Sequence, residues 1–229
     1  MIVAIDGPSG AGKSSITKLL AKRLGYLHID TGAMFRAVAL LARRAGIDSE
    51  DDAGLAELCR GLSISFDRDG EGCRVLVNGE DVSAAIRSEE VGLLTSSISA
   101  RKPVREALLS IQRVMGEAGG VILEGRDIGT VVFPDAEVKF FLSASAAERG
   151  RRRFLELSGR GEQVTLEETI AKVERRDRQD TGRKHAPLRQ AVDAIPIDST
   201  TLSVDQVLEL MEGMVKSRLR AEEEKAQWK

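Results

Sequence analysis

Apolar and polar positions follow two repeating rhythms along this chain. Five short apolar runs have the length and branched-residue content of buried strands: Ile2 to Ile5, Tyr26 to Ile29, Gly120 to Leu123, Val138 to Leu142 and Ala194 to Ile197. Between them, apolar residues recur at helical spacing. Ile16, Leu19, Leu20 and Leu24 predict a helix over 14–24, stopped by Gly25. Further helices are predicted over 33–45 (closed by Gly46), 51–60, 103–117 and 145–157. Thr165-x-x-Glu168 reads as a capping box opening a helix to about residue 180. Ser203-x-x-Gln206 opens a last helix that frays into the solvated run Glu222-Glu223-Glu224-Lys225. Strands separated by helices predict an α/β fold: a five-stranded parallel sheet with helices on both faces.

Residues 62–95 break this rhythm. Leu62-Ser63-Ile64-Ser65-Phe66 alternates apolar with polar, as a half-exposed strand does. Arg74 to Val77 reads as a second strand, and Asn78-Gly79 suits a tight hairpin turn with positive φ at both central residues. The expected organisation is a core of 1–61 with 96–229, interrupted by a small antiparallel insert at 62–95.

Composition narrows the class. At 42% hydrophobic the 229-residue chain can bury a large core, and at 3% aromatic that core should be aliphatic. Basic residues number 34 and acidic residues 36, which argues against broad nucleic-acid binding. Cys59 and Cys73 lack a metal-ligand spacing and read as reduced thiols. No apolar run reaches membrane-spanning length, and the apolar start is too short for a signal peptide, so a cytoplasmic protein with no membrane partner is expected. Glu50-Asp51-Asp52 reads as helix-start acidity. His28 and His185 read as packing or surface residues.

The chemistry concentrates after the first strand. Gly7, Pro8, Ser9, Gly10, Ala11, Gly12, Lys13, Ser14 and Ser15 form a G-x-x-x-x-G-K-S loop between a strand and a helix. Such a loop points backbone N–H groups at phosphate oxygens, with the lysine reaching the outer phosphates and the serine hydroxyl available to Mg²⁺. A nucleoside triphosphate is the implied guest. Asp30-Thr31-Gly32 and Glu124-Gly125-Arg126-Asp127 also end predicted strands, where ligands gather in such sheets.

Arginines exceed what one triphosphate needs: Arg36, Arg126, the crowd Arg149, Arg151, Arg152 and Arg153, and Arg176 and Arg183, which with Asp180 fall at i, i+4 and i+7, hence on one helical face. Guanidinium groups suit bidentate capture of phosphate, so a second phosphate site is implied. The Arg-rich segment at about 149–162, with Gly159-Arg160-Gly161 as hinge, reads as a mobile lid that would exclude water. Any one of Arg151 to Arg153 equally fits a solvated helix face, and the lesser reading of Arg176 with Asp180 is an intrahelical ion pair.

The motifs at 5–13, 30–36, 124–136 and 176–183, with Ala186-Pro187-Leu188, Asn78 to Ser83 and Ile197 to Thr200, resemble the bacterial cytidylate kinases. The resemblance spans residues 2 to about 216. It implies a P-loop NTPase-type fold, with the insert as nucleotide-site domain and the Arg-rich segment as lid. It also implies phosphoryl transfer from ATP, with Mg²⁺, to CMP or dCMP by a monomeric enzyme. The loop Gly7 to Ser15 is then the ATP site. The positions of Arg36 and Arg126, with Arg183 nearby, hold the acceptor phosphate. Ser96, Arg105 and Asp127 read cytosine, Arg176 and Asp180 contact the pentose, and Thr31 joins this CMP-binding set. Asp127 suits the N4 amino donor of cytosine and Arg105 its N3 and O2 acceptors. Uracil would set a carbonyl against the carboxylate. Lys13 and the lid arginines Arg152 and Arg153 are the expected catalytic charges, and a phosphate nucleophile needs no general base. Two departures from the family stand out: Phe35 replaces a common tyrosine, and Lys13-Ser14-Ser15 replaces Lys-Gly-Thr. Rival readings are a kinase for another nucleoside monophosphate or for shikimate, and a GTPase-like switch, whose N-K-x-D motif is missing.

Overall fold

The computed structural model describes residues 1–69 and 72–227. In chain order its elements are β1 (Ile2–Asp6), α1 (Lys13–Leu24), β2 (Leu27–Asp30), α2 (Thr31–Arg44), α3 (Asp52–Cys59), β3 (Ile64–Asp69), β4 (Gly72–Val77), β5 (Glu80–Asp81), α4 (Glu89–Ile98), α5 (Lys102–Gly116), β6 (Val121–Gly125), β7 (Val138–Ser143), α6 (Ala146–Gly159), α7 (Leu166–Gly182), β8 (Ile195–Asp198) and α8 (Val204–Gln227). The chain divides into two compact units, Met1–Leu27 with Gly119–Lys229, and His28–Ala118.

The parallel sheet, whose strands β6, β1, β7 and β8 lie in the first unit, has the strand order β2-β6-β1-β7-β8. β1 lies at its centre, with Ile2 to Asp6 paired to Val121 to Gly125 on one side and Val3 to Asp6 to Val138 to Phe141 on the other. Both faces of β1 are covered, which is why its sequence is a continuous apolar run rather than an alternation. β2 starts in this unit at Leu27, whose N–H donates to Gly120 O at 2.8 Å. Ile16 and Leu20 of α1 and Val207, Leu208, Met211 and Val215 of α8 close over Val3, Ile5, Phe140 and Leu142. The cluster is aliphatic apart from Phe140, as the composition predicts.

The helix-start expectations hold at Thr165, whose hydroxyl and the Glu168 carboxylate exchange hydrogen bonds with each other's backbone N–H. Ser203 and Gln206 do the same before α8. That last helix runs through the acidic stretch to Gln227 rather than fraying at 222. α6 and α7 pack against each other so closely that a Cβ on Gly150 would lie 2.4 Å from Ile170.

The second unit holds α2 packed on α4 and α5, α3 on α5, and the small antiparallel sheet β3-β4-β5. Asn78 (φ 51) and Gly79 (φ 85) turn β4 into β5 with positive φ at both residues. The Asn78 side chain also accepts the Ser63 N–H at 3.0 Å. Asp51 caps α3 by accepting the Gly54 N–H at 2.9 Å, which gives the acidic triplet its role. α4 was not foreseen. Gly92 and three hydroxyl residues weaken its intrinsic propensity, yet Val91, Thr95 and Ile98 are buried. Cys59 is a buried free thiol, whereas the Cys73 side chain lies outside the described residues. Among the described residues no helix is long and apolar enough to cross a membrane.

Candidate active site

The phosphate loop leaves the end of β1 and enters α1. Gly7 (φ 151) is pressed against β7: a Cβ there would lie 1.9 Å from the Leu142 carbonyl oxygen, so only glycine fits. Gly12 begins α1 without any side chain capping the helix, which leaves its first N–H groups directed at the loop's concavity. Lys13 is buried, and its Nζ donates to Gly7 O at 2.8 Å and Pro8 O at 2.7 Å. Burial drives the Lys13 pKa well below the usual lysine range. Arg126 and Arg176 push the same way, while Glu124 and Asp6 oppose them. Ser14 donates to Glu124 Oε2 at 2.8 Å. Glu124 is buried at the end of β6, beside β1, and no sequence motif singled it out as a partner of the loop. Ser15 is exposed on the first turn of α1.

α6 straps the outer edge of the loop. Arg149, itself buried, donates to Ser9 O at 3.1 Å and to Ala144 O at 2.8 Å, and grips Asp177 of α7 with two hydrogen bonds of 3.1 and 2.6 Å. Arg152 donates to Ser199 O at 2.6 Å, to Ser199 Oγ at 3.1 Å and to Ala11 O at 3.4 Å. The crowd of arginines therefore splits by helical phase. Arg149 and Arg152 face the loop. Arg151 pairs with Glu148, and Arg153 pairs with Glu156 at 2.6 Å on an exposed face. Arg151 and Arg152 together hold the Glu148 carboxyl down to about 2. Asp177 and Ser199 lie inside quoted motifs but were given no role, because each acts on the loop only through a partner distant along the chain.

A second cationic cluster lies in the same unit. Asp180 is buried near the end of α7, and Arg126 Nε donates to it at 2.8 Å while Arg183 lies at 2.6 Å. Burial opposes ionisation of Asp180, but Arg126, Arg183 and Arg176 outweigh it and hold the carboxyl below its usual range. Arg183 follows the helix in extended backbone, so it reaches Asp180 from beyond the helix end and not along one helical face with Arg176. Asp127, buried, starts a wide helical turn over Ile128–Val132 and accepts the Val131 and Val132 N–H groups on its carbonyl.

In the second unit, Asp30 caps α2 by accepting the Ala33 N–H at 3.0 Å, so Thr31 and Gly32 already belong to the helix. Thr31 is buried and Arg36 is half-buried on that helix. Ser96 lies on α4. Arg105 donates to Ser99 O at 3.0 Å and stacks over the Phe35 ring at 5.3 Å. Phe35, noticed in the sequence for the hydroxyl it lacks, is thus the platform for a candidate base-reading arginine.

A glycine-rich loop leaving the central strand of a parallel sheet, with a buried lysine, a serine–carboxylate pair and a second arginine cluster, defines a P-loop phosphotransferase fold and site. Comparison with known proteins narrows this class. The family model for cytidylate kinase matches residues 3–217. A cytidylate kinase from Citrifermentans bemidjiense is 80% identical over 219 residues, covering 96% of this chain and 94% of its own. One from Geobacter sulfurreducens is 67% identical over 221 residues, covering 96% and 95%. A crystal structure of an uncharacterized protein from Eubacterium ventriosum aligns with TM-score 0.50 at 13% identity over 95% of this chain and 99% of that one, a likeness of fold alone. The chain belongs to the cytidylate kinase family.

Proposed function

We propose that the loop Gly7 to Ser15 binds ATP and that Arg126, Arg183 and Arg176 around Asp180 bind the phosphate and pentose of the acceptor nucleotide. As a cytidylate kinase family enzyme, the protein phosphorylates CMP and dCMP to the diphosphates at the expense of ATP. The observation that best supports the two-site reading is electrostatic. Lys13 of the loop is buried and lies within the field of Arg126 and Arg176, so cations of the Asp180 cluster add to burial in depressing its proton affinity. Such a concentration of like charge is costly until anions arrive. Two phosphorylated guests supply them, and the same charges then offset the repulsion between donor and acceptor phosphates.

The acceptor's nucleophile is a phosphate oxygen already largely deprotonated at neutral pH. Lys13 orients the outer phosphates and stabilises charge on the transferring group, and Arg152 approaches from α6. The donor set at the loop, a serine hydroxyl beside a carboxylate, is one of hard oxygens and fits Mg²⁺. Ser14 and Glu124 would hold the ion, which supplies charge neutralisation to the triphosphate when bound. Asp127 and Arg105, with Ser96, read the cytosine edge, and Thr31 and Arg36 complete the CMP set. Residues 62–95 serve as the nucleotide-site insert of a core formed by 1–61 and 96–229, and about 149–162 serve as the lid. Arg153 fits this lid only if its pair with Glu156 opens. The enzyme acts as a cytoplasmic monomer without nucleic-acid or membrane partners.

The test is a substrate panel on the purified enzyme with MgATP: CMP, dCMP, UMP, AMP and shikimate, following ADP release. CMP and dCMP turn over fastest. Preference for any other acceptor would reject the reading of the base site.

A further inference from the structure

We propose that Asp6 is a positioning residue that couples occupation of the phosphate loop to the placement of the turn carrying Arg126 and Asp127. This inference rests on the two-site reading above. Asp6 is the last residue of β1, and the loop begins at the next residue, Gly7. Its two carboxylate oxygens accept the N–H groups of Ile128 at 2.9 Å and Gly129 at 2.7 Å. Those two N–H groups are the first of the wide turn that follows Asp127. The Asp127 carbonyl accepts from Val131 and Val132, and the Phe133 N–H donates to Ile128 O at 2.7 Å, so the turn is closed on itself and moves as one piece. In the sheet, Asp6 pairs with Gly125, directly before Arg126.

One buried side chain thus ties the base of the ATP loop to the base of the acceptor turn. The tie has little slack. Gly7, the next residue, lies so close to the Leu142 carbonyl that no side chain fits there, and no other residue separates Asp6 from the loop. Gly129 has no side chain on the face toward Asp6: a Cβ there would lie 3.5 Å from Asp6 Oδ2 and 3.1 Å from Lys139 Cδ. Asp6 also sits in the field of both sites, with Asp127 raising its proton affinity and Lys13 lowering it. A triphosphate that draws on Lys13 changes the charge that Asp6 feels, and two short hydrogen bonds carry the adjustment to the turn. Phosphoryl transfer needs both guests at once, so such a tie would favour the ternary state over either binary one.

The experiment is calorimetric titration at neutral pH of CMP alone, of a non-hydrolysable ATP analogue alone, and of CMP into analogue-saturated enzyme. In the wild type the analogue tightens CMP binding about fivefold or more. Asp6→Asn keeps the shape but turns an NH₂ toward one backbone N–H. It brings that ratio to about one while leaving the analogue's own Kd within about threefold. Asp6→Ala, which removes both acceptors of the Ile128 and Gly129 N–H groups, loses the coupling in the same way. A variant that merely loosened the fold would weaken both binary affinities and lower the unfolding midpoint together, leaving the ratio in place. A wild-type ratio in either variant overturns the proposal, as does independent binding of the two nucleotides to the wild type. A wild type that takes the analogue but ignores CMP strikes the acceptor-site reading itself, and this inference with it.

Discussion

Arg126 with Asp180 in the first unit and Arg44 with Glu80 in the second are ion pairs of the same length, 2.8 Å. Their surroundings differ. The Asp180 side chain is 2% exposed and shared by Arg126 and Arg183, whereas the Arg44 and Glu80 side chains are 44% and 56% exposed. Water screens the exposed pair and solvates either partner if the other is lost. Asp180 has no such recourse, because removing one member leaves the rest charged in a poorly solvated place. The first unit repeats this pattern at Lys13, Asp6 and in the Arg149–Asp177 pair, while Arg74–Asp67 and Arg101–Asp52 of the second unit lie near solvent. Separation alone therefore says little about what a pair contributes. Where buried charges collect on one rim, chemistry is a better account of them than stability.

Lys13→Ala is the strongest attack on this contrast. It removes a buried cation whose burial opposes its charge, so the fold should persist while turnover falls about a thousandfold or more. Steady-state rates beside an unfolding curve separate the two, and near-wild-type rates would remove the loop from the mechanism. Asp180→Ala comes next. It leaves two guanidinium groups without their shared counter-ion and should destabilise by about 3 kcal/mol or more, with CMP affinity falling alongside. Urea unfolding with and without CMP checks both effects.

Asp6 sharpens the comparison through pH. Burial raises its pKa from 3.8 to about 6, and the Asp127 charge adds to this, against the pull of two backbone N–H groups and Lys13. A carboxyl raised in the folded state favours folding fully below pH about 4, and that contribution is lost as pH rises through about 6, an effect of about 3 kcal/mol. Comparing unfolding free energies of wild type and Asp6→Asn from pH 4 to 7 isolates it. The wild type should gain on the variant as pH falls, and parallel curves would show that Asp6 titrates normally.

Asp127→Ala should cut the preference for CMP over UMP about tenfold or more while changing ATP affinity little, measured as a ratio of kcat/KM values. Full selectivity in this variant would remove Asp127 from base reading. Glu80→Ala is the smallest change, and the unfolding midpoint should not move. A clear drop would break the contrast between buried and exposed pairs.

Much of this was legible along the chain because its causes are local. The Gly7-to-Ser14 loop, the Thr165–Glu168 box and the Asn78-Gly79 turn each follow from residues within a few positions of one another. Continuous apolar runs marked the parallel strands, since burial on both faces leaves no polar positions. α4 escaped notice because burial of Val91, Thr95 and Ile98, not propensity, sustains it. Arg176, Asp180 and Arg183 looked like one helical face, but the helix ends at Gly182 and the partners of Asp180 arrive from β6 and from beyond the helix end. Arg149 and Arg152 could not be told from Arg151 and Arg153 by composition, because orientation on α6 depends on where that helix docks.

Residue order alone dictated the elements other than α4, the phosphate loop and the family, since each depends on spacing between near neighbours and on which side chains shun water. Folding in three dimensions settled which charges face each other. Asp6 with the 128–129 amides, Ser14 with Glu124 and Arg149 with Asp177 are contacts between distant segments, brought within hydrogen-bond reach by strand order and helix docking. A charge acquires its role from its partner and its distance from water, and neither is written into the residue itself.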